Sequence, residues 1–273
     1  MGQRVATGAM LIVLLIILLY FGGVVMGVGA IVCLCFAMQE EYHALAVAGH
    51  RPVAGPTWLG MVLAVPLVAL YGSEMIVPLL GGVCLLTMIC VVFRDEPRLE
   101  DAVLSVLPLF TIVLPGMCIV ALAQVQPKAL QVVLLSLVFA IPVLGDTMAF
   151  FVGSRVRGPK LCPAVSPNKT ISGAVAGLVG SLVAAAAVGV VSLIFCDQAT
   201  LAQLPTWWQY ALLGLVGGVA GQMGDLFASL VKRHCGIKDF SNLFPGHGGM
   251  LDRLDSILFM AVVMICYRLL QGI

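Results

Sequence analysis

Long uninterrupted runs of apolar residues organise this chain, with polar residues confined to the gaps between them. Val5–Gln39 carries no Lys, Arg, Asp or Glu over 35 residues. One crossing of a bilayer core takes only about 20 residues of helix. Gly22-Gly23 divides the run, which predicts two helices, 5–21 and 24–42. The same reading predicts helices at 57–72, 74–93, 102–124, 129–153, 171–195, 207–227 and 256–272. The apolar runs are continuous, whereas a transmembrane barrel needs alternation. The expected fold is therefore an all-α polytopic integral membrane protein with nine transmembrane helices. Pro66, Pro78, Pro108, Pro115 and Pro142 fall in or near these segments, where a helix bundle tolerates kinks. Arg4 followed by an apolar run resembles a secretory leader. No small-residue cleavage site closes it and a second apolar segment follows at once, so an uncleaved first span is expected.

Composition narrows the class. Of the residues, 61% are hydrophobic and 10% charged, against about a quarter charged in a soluble domain. That excludes a soluble enzyme, a disordered chain, a coiled coil and a disulfide-rich scaffold. With 14 Lys+Arg against 13 Asp+Glu, no nucleic-acid partner is expected. The placement of the cations says more. Nine spans starting in the cytoplasm put Arg4, Arg51, Arg94, Arg98, Arg155, Arg157, Lys160, Lys169, Lys232, Arg233, Lys238 and Arg253 on one side and only Lys128 and Arg268 on the other. The positive-inside bias makes the first side, and the N-terminus, cytoplasmic. Trp207, Trp208 and Tyr210 read as an aromatic belt at the opposite interface. Nine cysteines are scattered without a C-x-x-C pair and read as packing residues. Cys162 and Cys235 fall in cytoplasmic loops. Without repeats or polar linkers, residues 1–273 form one membrane domain: apolar spans in 1–128, and in 129–273 a half with two polar loops, 153–173 and 228–256.

Those loops hold eight of the 14 cations, and each follows a span with an acid near its end, Asp146 and Asp225. A carboxylate beside the hydrocarbon region is costly without a cation or water nearby. Asp252 and Asp255, three residues apart, share one face at the start of the last helix. There they could simply complement the helix dipole. Together with Asp225 they could instead hold Mg²⁺ with phosphate oxygens. Pro245-Gly246-His247-Gly248-Gly249 is a glycine-rich turn that could bring backbone N–H groups to phosphate, or be only a tight turn. His247 could donate to phosphate or serve structure. Ser166-Pro167-Asn168-Lys169-Thr170 reads equally as a helix cap with a topology anchor or as a phosphate clamp. Glu40 and Glu41 are expected at interfacial water, and the mixed-charge stretch 94–101 in solvent.

From the residues alone, the substrate should carry phosphate and a lipid tail. A phosphate- or cation-coupled transporter is the competing class, but it would place charges at midplane, often in inverted repeats. Here they crowd towards one face.

The stretch Ser229–Asp255, SLVKRHCGIKDFSNLFPGHGGMLDRLD, resembles the pattern of the CDP-diacylglycerol synthases, or phosphatidate cytidylyltransferases. The matching positions are Ser229, Lys232, Arg233, Lys238, Asp239, Pro245, His247, Gly248, Gly249, Asp252, Arg253 and Asp255. Gly145-Asp146-Thr147, Ser166-Pro167-x-Lys169-Thr170 and Gly224-Asp225-Leu226-Phe227 resemble earlier blocks of that family. Ser172 and Ala228 stand where the family often has acids. The resemblance covers about the C-terminal half. It implies a Mg²⁺-dependent reaction of CTP with phosphatidate at the cytoplasmic face of a bacterial inner membrane, in a homodimer. The implied site has Asp225, Asp252, Lys232, Arg253 and His247 in catalysis. Substrates would be bound by Ser166, Lys169, Thr170, Ser229, Arg233, Lys238, Asp239, Gly248 and Gly249. The metal carboxylates would be Asp146, Asp225, Asp252 and Asp255.

Overall fold

The computed structural model describes residues 2–271 apart from Arg157, Pro245 and His247. The expectations placed on His247 lie outside the described residues. Nine helices form the frame among those described: α1 (Gly2–Phe21), α2 (Gly23–Val47), α3 (Gly55–Tyr71), α4 (Ile76–Val92), α5 (Leu99–Leu122), α6 (Lys128–Val156), α7 (Ile171–Phe195), α8 (Trp207–His234) and α9 (Leu251–Gln271). Every predicted apolar segment coincides with one of them. Six, α2 and α5 to α9, are long and apolar enough to cross a membrane. Apolar stretches of α1 (Thr7–Phe21) and α4 (Ile76–Val92) are shorter.

The break between α1 and α2 falls at the double glycine. Gly22 and Gly23 both take positive φ, 60° and 46°, which costs a residue with a Cβ more than it costs glycine. In α5 the ladder widens to one π-turn at Leu109–Val113, between Pro108 and Pro115. A proline removes a donor and crowds the preceding turn, and an inserted π-turn accommodates that mismatch. The second half of α5 lies in the core: Met117, Cys118, Ile119, Val120, Ala121 and Leu122 are all buried. Leu130, Leu135, Leu137, Val138 and Ile141 of α6 continue the same core.

Several helices run past their predicted ends. α8 continues to His234, and α9 starts at Leu251. Apolar patterning ends where lipid contact ends, but nothing obliges the backbone ladder to stop there. Much of the loop predicted at 228–256 is therefore helix, and Lys232 and Arg233 stand on the last turn of α8. The other loop folds into an antiparallel hairpin, β1 (Lys160–Cys162) with β2 (Ser166–Thr170), with Lys160 opposite Thr170 and Cys162 opposite Ser166. The Thr170 hydroxyl then accepts from the Gly173 N–H at 3.1 Å and caps α7.

The connections that carry cations meet at one end of the bundle. His50 Nε2 lies 2.9 Å from His234 Nε2, Arg51 pairs with Glu96 at 3.4 Å, and Arg233 Nε donates to the Val165 carbonyl at 3.3 Å. Two surface readings need correction here. Asp101 is buried and accepts from the Arg51 N–H at 2.9 Å, so the stretch 94–101 is not wholly solvated. Tyr210 is buried too, while Trp207 and Trp208 are exposed as expected of a belt.

Candidate active site

Four elements deliver the carboxylates and cations to that end. α6 carries Asp146, α8 carries Asp225 and Lys232, α9 carries Asp252, Arg253 and Asp255, and the hairpin carries Lys169. They line one cavity of about 980 Å³, joined by Asp239, Lys160, Asn168, Thr170 and Gln222, with Phe150 and Leu161 among its apolar walls. A glycine sets the closest approach of the helices. A Cβ on Gly224 would collide with the Asp255 carbonyl oxygen and lie 2.9 Å from the Phe259 ring. Without that side chain, α8 and α9 close up and Asp225 comes to the same cavity as Asp255.

Charge is paired inside this cavity. Lys169 forms an ion pair with Asp225, both about a quarter exposed. Lys232 Nζ lies 2.6 Å from Asp252 Oδ1, with both side chains nearly enclosed. The other oxygen of Asp252 accepts from the Phe240 and Gly249 N–H groups, each at 2.9 Å. Ser256 links two further acids: its hydroxyl reaches Asp146 Oδ2 at 3.2 Å and Asp255 Oδ1 at 3.4 Å, and its N–H donates to Asp255 Oδ1 at 2.7 Å. Arg253 is exposed on the cavity wall.

Among the described residues no three His, Cys, Asp or Glu side chains converge closely enough to enclose a metal ion. Mg²⁺ does not need such a cage. It is commonly held by one or two carboxylates, water and substrate phosphates. Asp146 and Asp225, oxygen donors in a polar cavity, fit that mode. Asp252 lines the same cavity and accepts from Lys232 and two backbone amides, which tie it to the start of α9 and still leave it lone pairs that could face a cation.

Other expected site residues are not on the cavity wall. Ser166 sits on β2, and Ser229 is buried in α8. Lys238 is exposed nearby. Arg233 holds the hairpin and the end of α8 together through the Val165 and Ile237 carbonyls. Two backbone groups of the glycine turn are already paired. Gly249 N–H is bonded to Asp252, and the Gly248 carbonyl accepts from Phe244 N–H at 2.9 Å.

The largest miss is Glu40. Expected at interfacial water, it is buried and accepts from Ser241 Oγ at 2.5 Å, Met250 N–H at 2.9 Å and Leu251 N–H at 2.8 Å. Glu41 is buried as well and accepts from Thr111 Oγ1 at 3.0 Å. Two acids ending an apolar run look alike whether water or another helix meets them. Lys160 and Gln222 were missed for a simpler reason, since a lone cation and a lone amide carry no pattern.

The chain matches the sequence pattern of the cytidylyltransferase family over residues 2–270. It is 36% identical over 152 residues to a phosphatidate cytidylyltransferase of Staphylococcus saprophyticus, covering 56% of this chain and 54% of that one. A Bacillus subtilis protein of the same name is 46% identical over 116 residues, 42% of this chain and 39% of that one. One from Brucella abortus is 42% identical over 129 residues, 47% and 44% of the two chains. The matched segments thus span about half or less of these relatives' own length.

Proposed function

The chain belongs to the cytidylyltransferase family, and from that premise we propose that it is a phosphatidate cytidylyltransferase, converting CTP and phosphatidate into CDP-diacylglycerol and pyrophosphate. One observation carries the reading: carboxylates and cations from α6, α8, α9 and the hairpin share a single cavity of about 980 Å³ at one end of an apolar bundle. A polyanionic nucleotide and a lipid phosphate need that mixture at a membrane surface. A transporter would instead need its charges near midplane.

In the proposed reaction a phosphatidate oxygen attacks the α-phosphorus of CTP. The new P–O bond forms as the bond to the β-phosphate bridging oxygen breaks, and pyrophosphate departs with that electron pair. The nucleophile is already an anion, so a general base has little to do. The obstacle is repulsion between two polyanions, which places the burden on positioning and charge neutralisation. Lys169 and Lys160 face the cavity from the hairpin and Arg253 from α9; these cations would hold the phosphates. Lys232, anchored by Asp252, would add positive charge at the floor. Asp225 and Asp146, with Asp252 and Asp255 beside them on the same cavity wall, would hold Mg²⁺. When bound, Mg²⁺ would neutralise phosphate charge and draw electrons from the leaving pyrophosphate.

The same reading places all nine helices across a bacterial inner membrane, with the N-terminus and the cavity on the cytoplasmic side and the enzyme as a homodimer. The support for sidedness is the cation bias. The deciding experiment is an assay of purified protein in detergent with labelled CTP and phosphatidate, with and without Mg²⁺. Pyrophosphate release that requires both substrates supports the proposal. Binding without turnover removes it.

A further inference from the structure

The half of the chain that carries no recognisable site motif still reaches the turn before α9, through the Glu40 carboxylate. Glu40 lies on α2, some 200 residues before the motif it touches, and it is buried. Its Oε1 accepts from Ser241 Oγ at 2.5 Å and Met250 N–H at 2.9 Å, and its Oε2 from Leu251 N–H at 2.8 Å. A Cβ on Gly249 would fall 2.5 Å from the same carboxylate. The acid therefore closes on the glycine turn and on the first backbone amides of α9. Those amides are orphan donors at the positive end of a helix dipole, where an anion is favoured. Asp252, one residue beyond Leu251, takes the next amide back, Gly249 N–H, and holds Lys232.

We infer that Glu40 is a positioning residue: by clamping the glycine turn and the first turn of α9, it fixes Asp252, Arg253 and Asp255 on the cavity wall without touching substrate. The inference rests on the cytidylyltransferase reading for its functional consequence, though the clamp itself does not. The chemistry requires an acid. Gln has nearly the same shape, but its amide nitrogen would point a donor at donors. Asp keeps the charge but is one methylene shorter.

The test uses the full-length enzyme in detergent. Glu40→Gln, Glu40→Asp and Ser241→Ala are compared with wild type for CTP-dependent turnover and for hydrogen–deuterium exchange over residues 241–253. Expected results are faster exchange at the Met250 and Leu251 amides in Glu40→Gln and a fall of about tenfold or more in kcat, with the KM for CTP within about twofold. Ser241→Ala should lose less, and Glu40→Asp should recover part of the loss. The loss should also be non-additive with Arg253→Lys, because both would act through one turn of helix. A buried acid serving stability alone would lower the yield of folded enzyme while leaving kcat per folded molecule and the Arg253→Lys effect unchanged, and that result overturns the inference. Unchanged exchange at these amides in Glu40→Gln overturns the clamp directly. If wild type itself does not turn over CTP with phosphatidate, the functional reading fails, and the exchange data still decide whether Glu40 holds the turn.

Discussion

Lys232 on α8 and Asp252 on α9 form a 2.6 Å ion pair that is almost sealed from solvent, their side chains 10% and 4% exposed. Asp252 is further bonded to two backbone amides, so the pair joins two helices and the intervening turn. Breaking a buried pair from one side leaves an uncompensated charge and costs about 3–5 kcal/mol, whereas removing both partners together costs much less. Lys232→Met and Asp252→Asn should each lower the unfolding temperature in detergent, and the double variant should recover part of the loss. Activity should stay low in all three. Thermal unfolding followed beside turnover checks this, and a double variant no more stable than either single one contradicts it.

Lys169 and Asp225 make the opposite case. Both are about a quarter exposed, and a solvent-accessible pair contributes about 0–1 kcal/mol. Asp225→Asn should therefore leave the unfolding temperature within a few degrees while turnover is lost at saturating Mg²⁺. Substantial activity in that variant would remove Asp225 from the proposed metal-binding pair.

Arg253 stands exposed on the cavity wall, where its planar fork can meet two phosphate oxygens and a lysine cannot. Arg253→Lys keeps the charge and should lower kcat/KM by roughly tenfold to a hundredfold, equivalent to about 1.5–3 kcal/mol for one charge-assisted hydrogen bond. Arg155→Lys is the comparison. That side chain lies over the Phe151 ring and does not line the cavity, so its kcat/KM should stay within about twofold. Equal losses in both variants would mean that Arg253 contributes charge alone.

Gly224 permits the contact between α8 and α9. Gly224→Ala forces a methyl group against backbone and an aromatic ring. Overpacking of this kind costs about 1–3 kcal/mol, and here it also moves Asp225 away from Asp255. The variant should fold less stably and lose most of its turnover. Wild-type kinetics would show that the helices can part without disturbing the site.

Sidedness can be read from one native thiol. Cys162 on the hairpin is partly exposed, whereas Cys235 is buried, so only the first is a usable reporter. A membrane-impermeant thiol reagent should label Cys162 in permeabilised cells and not in intact ones. Labelling from outside would reverse the proposed orientation.

Local information already determined much of this protein. Apolar runs located all nine helices, six of them long and apolar enough to cross a membrane, because burial in lipid demands both an apolar surface and a self-satisfied backbone. The spacing of Asp252, Arg253 and Asp255, and the cations beside Asp146 and Asp225, pointed to residues that the fold brings to one cavity. Only tertiary structure decided what each polar group does. Asp252 and Asp225 are the same residue type in similar settings, yet one is held by Lys232 and two amides while the other meets a lysine in an open cavity. Glu40 looked like an interfacial acid because its partners, Ser241, Met250 and Leu251, lie some 200 residues away. Periodicity and composition report whether a residue prefers water or lipid. They do not report which distant donor will meet a carboxylate once the helices pack.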